Sequence, residues 1–222
     1  MYQFDFAPVL ENLDMLAHGA WLTVRLSFTA MALGLIVSIA GAVAKTSGLR
    51  PLRWIVDIYV EAIRNTPFLI QIFFIFFGLP ALGIAMSPNT AALVALVVNV
   101  GAYGTEIIRA GIESVPKGQI EAGRALALGP AQIFRHVVLK PALRNIYPSL
   151  TSQFIYLMLT SSVVSVISAN DLAAAGADLN ARSFASFEIY LALTLIYLCL
   201  ALGFSGLFGA LRRVFFDYPA GR

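Results

Sequence analysis

From Asn65 to Thr105 the chain carries no charged side chain, and Pro80 and Pro88 divide that run in two. Asn145 to Asn170 and Ile189 to Leu211 are also free of charge, and Trp21 to Ala44 contains only Arg25. A helix needs about 20 apolar residues to cross the hydrocarbon core of a bilayer. None of these runs alternates with the period of a barrel strand. The fold class they predict is all-α integral membrane. Composition agrees: 59% of residues are hydrophobic and 12% charged, against roughly a quarter charged in a soluble domain.

The runs predict five transmembrane helices near residues 19–44, 55–79, 88–110, 146–168 and 188–211. Thirteen of the fifteen Lys and Arg residues fall in the 45–64 stretch, the 109–144 stretch and the tail. Basic loops face the cytoplasm, so the N-terminus is expected outside and the C-terminus inside. The acidic start, with Asp5, Glu11 and Asp14, is unlike the basic flank of a cleavable signal. Cys199 is alone, which supports neither a disulfide nor a metal site. The net charge of +3 comes from residues at the ends of membrane segments and does not point to nucleic acid.

One polar stretch interrupts this pattern: EAGRALALGPAQIFRHVVLKPALR, residues 121–144. Pro116 ends the third span, 120–128 reads as a short helix, Gly129-Pro130 as a turn, and AQIFRHVV as the start of a second helix. Pro141 is expected to break the chain before the fourth span. Two readings suit such a loop. It is a protein-docking surface, with Ala122, Gly123, Ala125 and Ala127 allowing close approach and Glu121, Arg124 and Arg135 supplying charge, or it is an amphipathic linker resting on lipid headgroups.

EAGRALALG followed by FRHVVLKPALR resembles the conserved cytoplasmic loop of ABC transporter permeases. RNTPFLIQIFFIFFGLP (64–80), GAYGTEIIRAGIESVPKGQIEAG (101–123) and SSVVSVISANDL (161–172) are similar to the polar amino acid branch of type I importers. The resemblance implies a single permease domain over 1–222 with a coupling loop at 115–141, in which Glu121, Ala122, Gly123, Arg124, Ala125, Ala127 and Gly129 meet a cytoplasmic ATPase. It also implies a second permease subunit, identical or related, two ATP-binding subunits and a periplasmic or extracellular solute-binding protein. The site would be the bacterial inner (cytoplasmic) membrane. The chain departs from the family pattern at four places. Gly123 stands for a second Ala, Ala127 for Gly, Leu139-Lys140 for Leu-Pro, and Leu159-Thr160 for Lys-Asp.

No GxxxxGK[ST] phosphate-binding loop is present. No catalytic residue and no cofactor are therefore expected in this chain, with ATP and Mg held by the partner ATPase. The candidates for lining a substrate pathway are polar groups at membrane depth. They are Arg64, Thr66 and Gln71 in the second span, Asn99, Tyr103 and Glu106 in the third, and Gln153, Thr160, Ser161 and Ser162 in the fourth. Each has a plainer reading. Arg64 with Glu61, and Arg109 with Glu106 or Glu113, sit at helical spacings that suit ion pairs, and Asn99 and Gln153 could bridge helices. Arg25 suits either a headgroup or an anionic substrate. Pro67 frees the carbonyl of Ile63 and is expected to bend or open the second span. Ala30, Gly34, Ser38 and Ala42 form a small-residue stripe for packing within the subunit or against a second one. A carrier of a sulfonate or oxyanion, an intramembrane hydrolase and a scaffold are the rival functions. The hydrolase lacks a histidine at mid-membrane, because His18 and His136 lie outside it.

Overall fold

A computed structural model describes residues 4–216. Every regular element among them is helical. A short α1 (Ala7–Glu11) precedes α2 (Leu13–Thr46), then α3 (Arg50–Arg64) and α4 (Phe68–Phe73). A π-helical turn (Phe74–Gly78) and a 3-10 turn (Leu79–Leu82) prolong α4. α5 (Pro88–Glu113) leads into α6 (Lys117–Ala125) and α7 (Pro130–Ile133). A second π-helical turn, Phe134–Val138, joins α7 to α8 (Leu139–Thr160), which tightens to 3-10 geometry over Ser161–Ile167. α9 (Leu172–Ser183) and α10 (Ser186–Phe216) complete the bundle.

Four helical segments are long and apolar enough to cross a membrane: Leu13–Thr46, Pro88–Glu113, Pro130–Ile167 and Ser186–Phe215. The second expected span, 55–79, is not one helix. α3 and the Phe68–Leu82 segment meet at a bend of 109°. Pro67 has no N–H to continue the ladder and keeps Thr66 out of helical backbone, so the chain turns there. Pro141, by contrast, does not break the chain. Its missing N–H would leave a gap in the ladder one turn back, where the wider π turn already departs from α-helical bonding. The region between the fourth and fifth spans, to which the sequence reading assigns no helix, contains α9. Asp171 starts it by accepting from the Ala174 N–H at 2.7 Å.

α2 and α5 form the central pair. Lipid supplies no hydrophobic drive between helices, so association depends on close packing of small residues. A Cβ placed on Gly34 would lie 2.5 Å from Val100 Cγ1, and one on Gly104 would lie 2.1 Å from Ser38 Oγ. The stripe of Ala30, Gly34, Ser38 and Ala42 is wholly buried. It therefore serves packing within the subunit. Ile72, Leu96, Val100, Phe154, Leu157 and Val164 extend the core to α4 and α8. α9 packs on α2 and α10 at one end, and the α6–α7 loop lies at the other.

Candidate functional site

The polar loop is a folded hairpin. Pro116 ends the turn after α5, and α6 starts at Lys117, three residues before the expected position. α6 closes with two reverse bonds: the Leu128 N–H donates to the Gly123 carbonyl at 3.1 Å, and the Ala127 N–H to the Arg124 carbonyl at 2.9 Å. This is the Schellman arrangement, which needs left-handed backbone at its penultimate residue. Ala127 supplies it with φ +57. Gln132 then caps α7 by accepting from the Gly129 N–H at 2.9 Å. Val115, Ile133, Val138 and Ala142 form a small core beneath the hairpin, with Ile120 and Leu128 packed against it.

That core decides which side chains face outward. Gly123 is buried, and a Cβ there would lie 3.2 Å from Ile133 Cγ1. Its small size serves packing inside the hairpin, not the approach of a partner. Glu121, Ala122, Arg124, Ala125 and Ala127 are exposed, and Gly129 is half-buried. Leu126, which sequence reasoning passed over, is 75% exposed. It lies one turn beyond Ala122, on a face of small side chains. A large apolar residue on a polar helix four positions after Ala was its signal.

Toward the membrane from the hairpin, an ion-pair chain ties three helices together. Lys45 Nζ of α2 lies 2.6 Å from Asp57 Oδ1 of α3 and 2.5 Å from Glu106 Oε1 of α5. Arg109 binds Glu106 at 2.7 Å and Glu113 at 2.5 Å, as the helical spacing anticipated. The Lys45 and Glu106 side chains are only 10% and 18% exposed.

Arg64 does not pair with Glu61, whose carboxylate accepts from Asn65 Nδ2 at 2.8 Å. It reaches across to α5 instead, with its guanidinium carbon 5.4 Å from the centre of the Tyr103 ring. The bend at Pro67 aims the end of α3 at α5 and makes this contact possible. Arg64, Tyr103 and Glu106 thus line one cavity of about 430 Å³, together with Ser114, Asn145 and Ser149. Asn145 Nδ2 donates to Ser114 Oγ at 2.8 Å across its floor.

The remaining candidates lie elsewhere. Gln71 and Asn99 bond to each other at 3.2 Å and are almost wholly buried between α4 and α5. The Thr66 hydroxyl donates to the Ala62 carbonyl at 2.7 Å, within the bend. Gln153 lines a separate groove with Ser152 and Tyr156, and its Nε2 is buried with no partner among the described residues. Thr160 ends α8. Ser161 and Ser162 donate to the carbonyls of Met158 and Leu159, each at 2.8 Å, where the helix tightens.

A bundle of apolar helices that presents one folded polar hairpin beside an open polar pocket suits a membrane permease. The chain belongs to the family of binding-protein-dependent transport system inner membrane components, whose model matches residues 30–215. It is 38% identical to the L-cystine transport system permease protein TcyB of Bacillus subtilis, over 89% of this chain and 82% of that one. It is 34% identical to the glutamine transport system permease protein GlnP of Escherichia coli, over 95% and 97% respectively. A crystal structure of an amino acid ABC transporter with histidines superposes with a TM-score of 0.91 at 34% identity, covering 96% of this chain and 99% of that one. The inward-facing MetNI methionine ABC transporter shares the fold, with a TM-score of 0.70 at 22% identity. The chain is thus an inner-membrane transport component, and its work is permeation and not catalysis.

Proposed function

We propose that this chain is the permease subunit of an ATP-driven importer that moves a polar amino acid across the cytoplasmic membrane. One observation carries the reading: the cavity around Arg64 and Tyr103 adjoins the hairpin directly, because Ser114, which lines it, lies two residues before Pro116. The Arg64 guanidinium meets no carboxylate among the described residues and is held on an aromatic face. It suits a substrate carboxylate, which a guanidinium can bind through two parallel hydrogen bonds. The Tyr103 ring and the Ser149 hydroxyl suit the ammonium end. The names of the relatives, carriers of cystine and glutamine, agree with that chemistry.

In this reading the end carrying Lys45, Arg50, Arg53 and the hairpin is cytoplasmic. Glu121, Ala122, Arg124, Ala125 and Leu126 enter a cleft of an ATPase, whose two copies hold ATP and Mg. A second permease chain completes the pathway, and a solute-binding protein delivers the amino acid from outside. The test is uptake of radiolabelled solutes into proteoliposomes containing the permease, its ATPase and its binding protein. ATP-dependent uptake of a polar amino acid, lost in Arg64→Gln with the ATPase still bound, is expected. Uptake of a sulfonate or oxyanion, with none of any amino acid, would overturn the substrate class.

A further inference from the structure

We propose that a groove between α2 and the start of α5, at the α9 end of the bundle, holds the phosphate headgroup of an anionic phospholipid. The argument starts from one ridge of α2. His18, Leu22, Arg25, Thr29, Leu33 and Ile36 follow each other at spacings of three and four, so they share one face of the helix. The first four line a groove of about 430 Å³, whose far wall is Asn89 and Thr90 of α5. The last two are exposed apolar side chains, Leu33 at 42% and Ile36 at 66%. A polar pocket therefore runs directly into an apolar strip along one helix, the shape of a headgroup followed by an acyl chain.

The donors in the pocket suit a phosphate. Arg25 is exposed and joins no ion pair among the described residues, and none of the side chains lining the groove is acidic. Asn89 Oδ1 accepts from the Asn170 N–H at 2.8 Å, which leaves the Asn89 amide hydrogens to donate into the groove. Leu22, Leu26 and Leu93 form an apolar floor. The depth fits as well. Arg25 stands twenty residues from Lys45, close to 30 Å along the helix at about 1.5 Å per residue, which is the thickness of the hydrocarbon core. With Lys45 in the ion-pair chain at one boundary, Arg25 reaches the phosphate layer at the other. One fixed positive charge and no carboxylate match a phosphodiester with one negative charge. The ammonium of a zwitterionic lipid would find no counter-charge there.

The purified full-length protein, in detergent, is mixed with phosphatidylglycerol, with phosphatidylethanolamine, or with phosphatidylglycerol plus soluble glycerol phosphate. Retained lipid is then counted by native mass spectrometry. Phosphatidylglycerol should be retained at least threefold better than phosphatidylethanolamine. Arg25→Gln should remove that preference at unchanged helix content, and Arg25→Lys should restore part of it. Equal retention of phosphatidylglycerol by Arg25→Gln would overturn the proposal. Displacement of the lipid by an equal concentration of glycerol phosphate would make the groove a free-anion site instead. A disulfide between two copies carrying Arg25→Cys in a Cys199→Ser background would assign this face to a subunit interface.

Discussion

The side-chain amide of Gln71 donates to the backbone carbonyl of Ile63 at 2.7 Å. That carbonyl is the one Pro67 leaves without its helical N–H, four residues on. The same amide donates to the Thr66 carbonyl at 3.0 Å, and its oxygen accepts from Asn99. One side chain thus closes the break between α3 and α4 and fastens it to α5. Gln71→Leu should lower stability by about 2 kcal/mol, because buried polar groups lose their partners. Asn99→Leu should cost less, since the Ile63 carbonyl keeps its donor. Reversible unfolding in mixed micelles gives both values, and equal losses would contradict this order.

Ala127 occupies left-handed backbone, which glycine adopts without steric penalty. Ala127→Gly should stabilise the hairpin by about 0.5–1 kcal/mol, the relief of strain being partly offset by a freer unfolded chain. Slower hydrogen exchange at the Ala127 and Leu128 amides, which close the cap, would register the gain.

Lys45 stands between two carboxylates, and its loss would leave Glu106 to Arg109 alone. Removing one partner of a largely buried pair costs several kcal/mol, and the remaining partner reduces that. Lys45→Met should therefore destabilise by about 2 kcal/mol and loosen α3 from α2 and α5. Lys45→Arg should retain most of the stability, and thermal midpoints of the two variants provide the comparison.

Ala122 and Gly123 are neighbours in sequence with opposite orientations, so the same substitution should fail in different ways. Ala122→Arg places a charge on the exposed face and leaves the hairpin core untouched. A poorly paired charge at an interface costs about 2–5 kcal/mol, enough to weaken ATPase binding by more than tenfold. On a lipid-resting loop the same arginine would be neutral or helpful. Gly123→Arg should instead disrupt the packing on Ile133 whether or not an ATPase is present. Co-purification of the ATPase, with protease sensitivity of the isolated permease, separates the two outcomes. Full ATPase retention by Ala122→Arg would remove this face from the contact.

The orientation is open to direct labelling. In a Cys199→Ser background, Ser87→Cys should react with an impermeant thiol reagent added outside intact cells, and Gln132→Cys only after the cytoplasmic face is opened. Reaction of both from one side would contradict the five-span topology.

Much of the bundle was legible because charge is costly in lipid. The spans drawn from the uncharged runs mark α2, α5, α8 and α10 to within eight residues at each end. The bend in the second span was expected at Pro67, but its size was not legible, because a hydropathy window averages over direction and cannot register a 109° turn. Asn65, Thr66 and Pro67 were its local sign. α9 escaped notice because it is short and Ala-rich, although Asp171 ahead of Leu172 is an N-cap pattern. The candidate site was legible in residue type but not in grouping. Arg64 and Glu61 have the right spacing to pair, yet Arg64 takes Tyr103, thirty-nine positions away, once the chain bends. The inward turn of Gly123 depends on Ile133, and no local pattern in α6 reveals which of its small residues meets that side chain.

From Pro130 to Ile167 the backbone never leaves helical geometry. At about 1.5 Å per residue this segment is close to 57 Å long. On the proposed coupling it would act as a drive shaft, with one end in the hairpin and the other in the midst of the buried core. A push on the hairpin would reach Gln153 and Ser161 along helical backbone, with no non-helical joint between them. The wide turn at Phe134–Val138 is the one place ahead of α8 where torque could be stored or released. Motor and gate would thus share a single stiff part, and timing between them would depend on how that part twists.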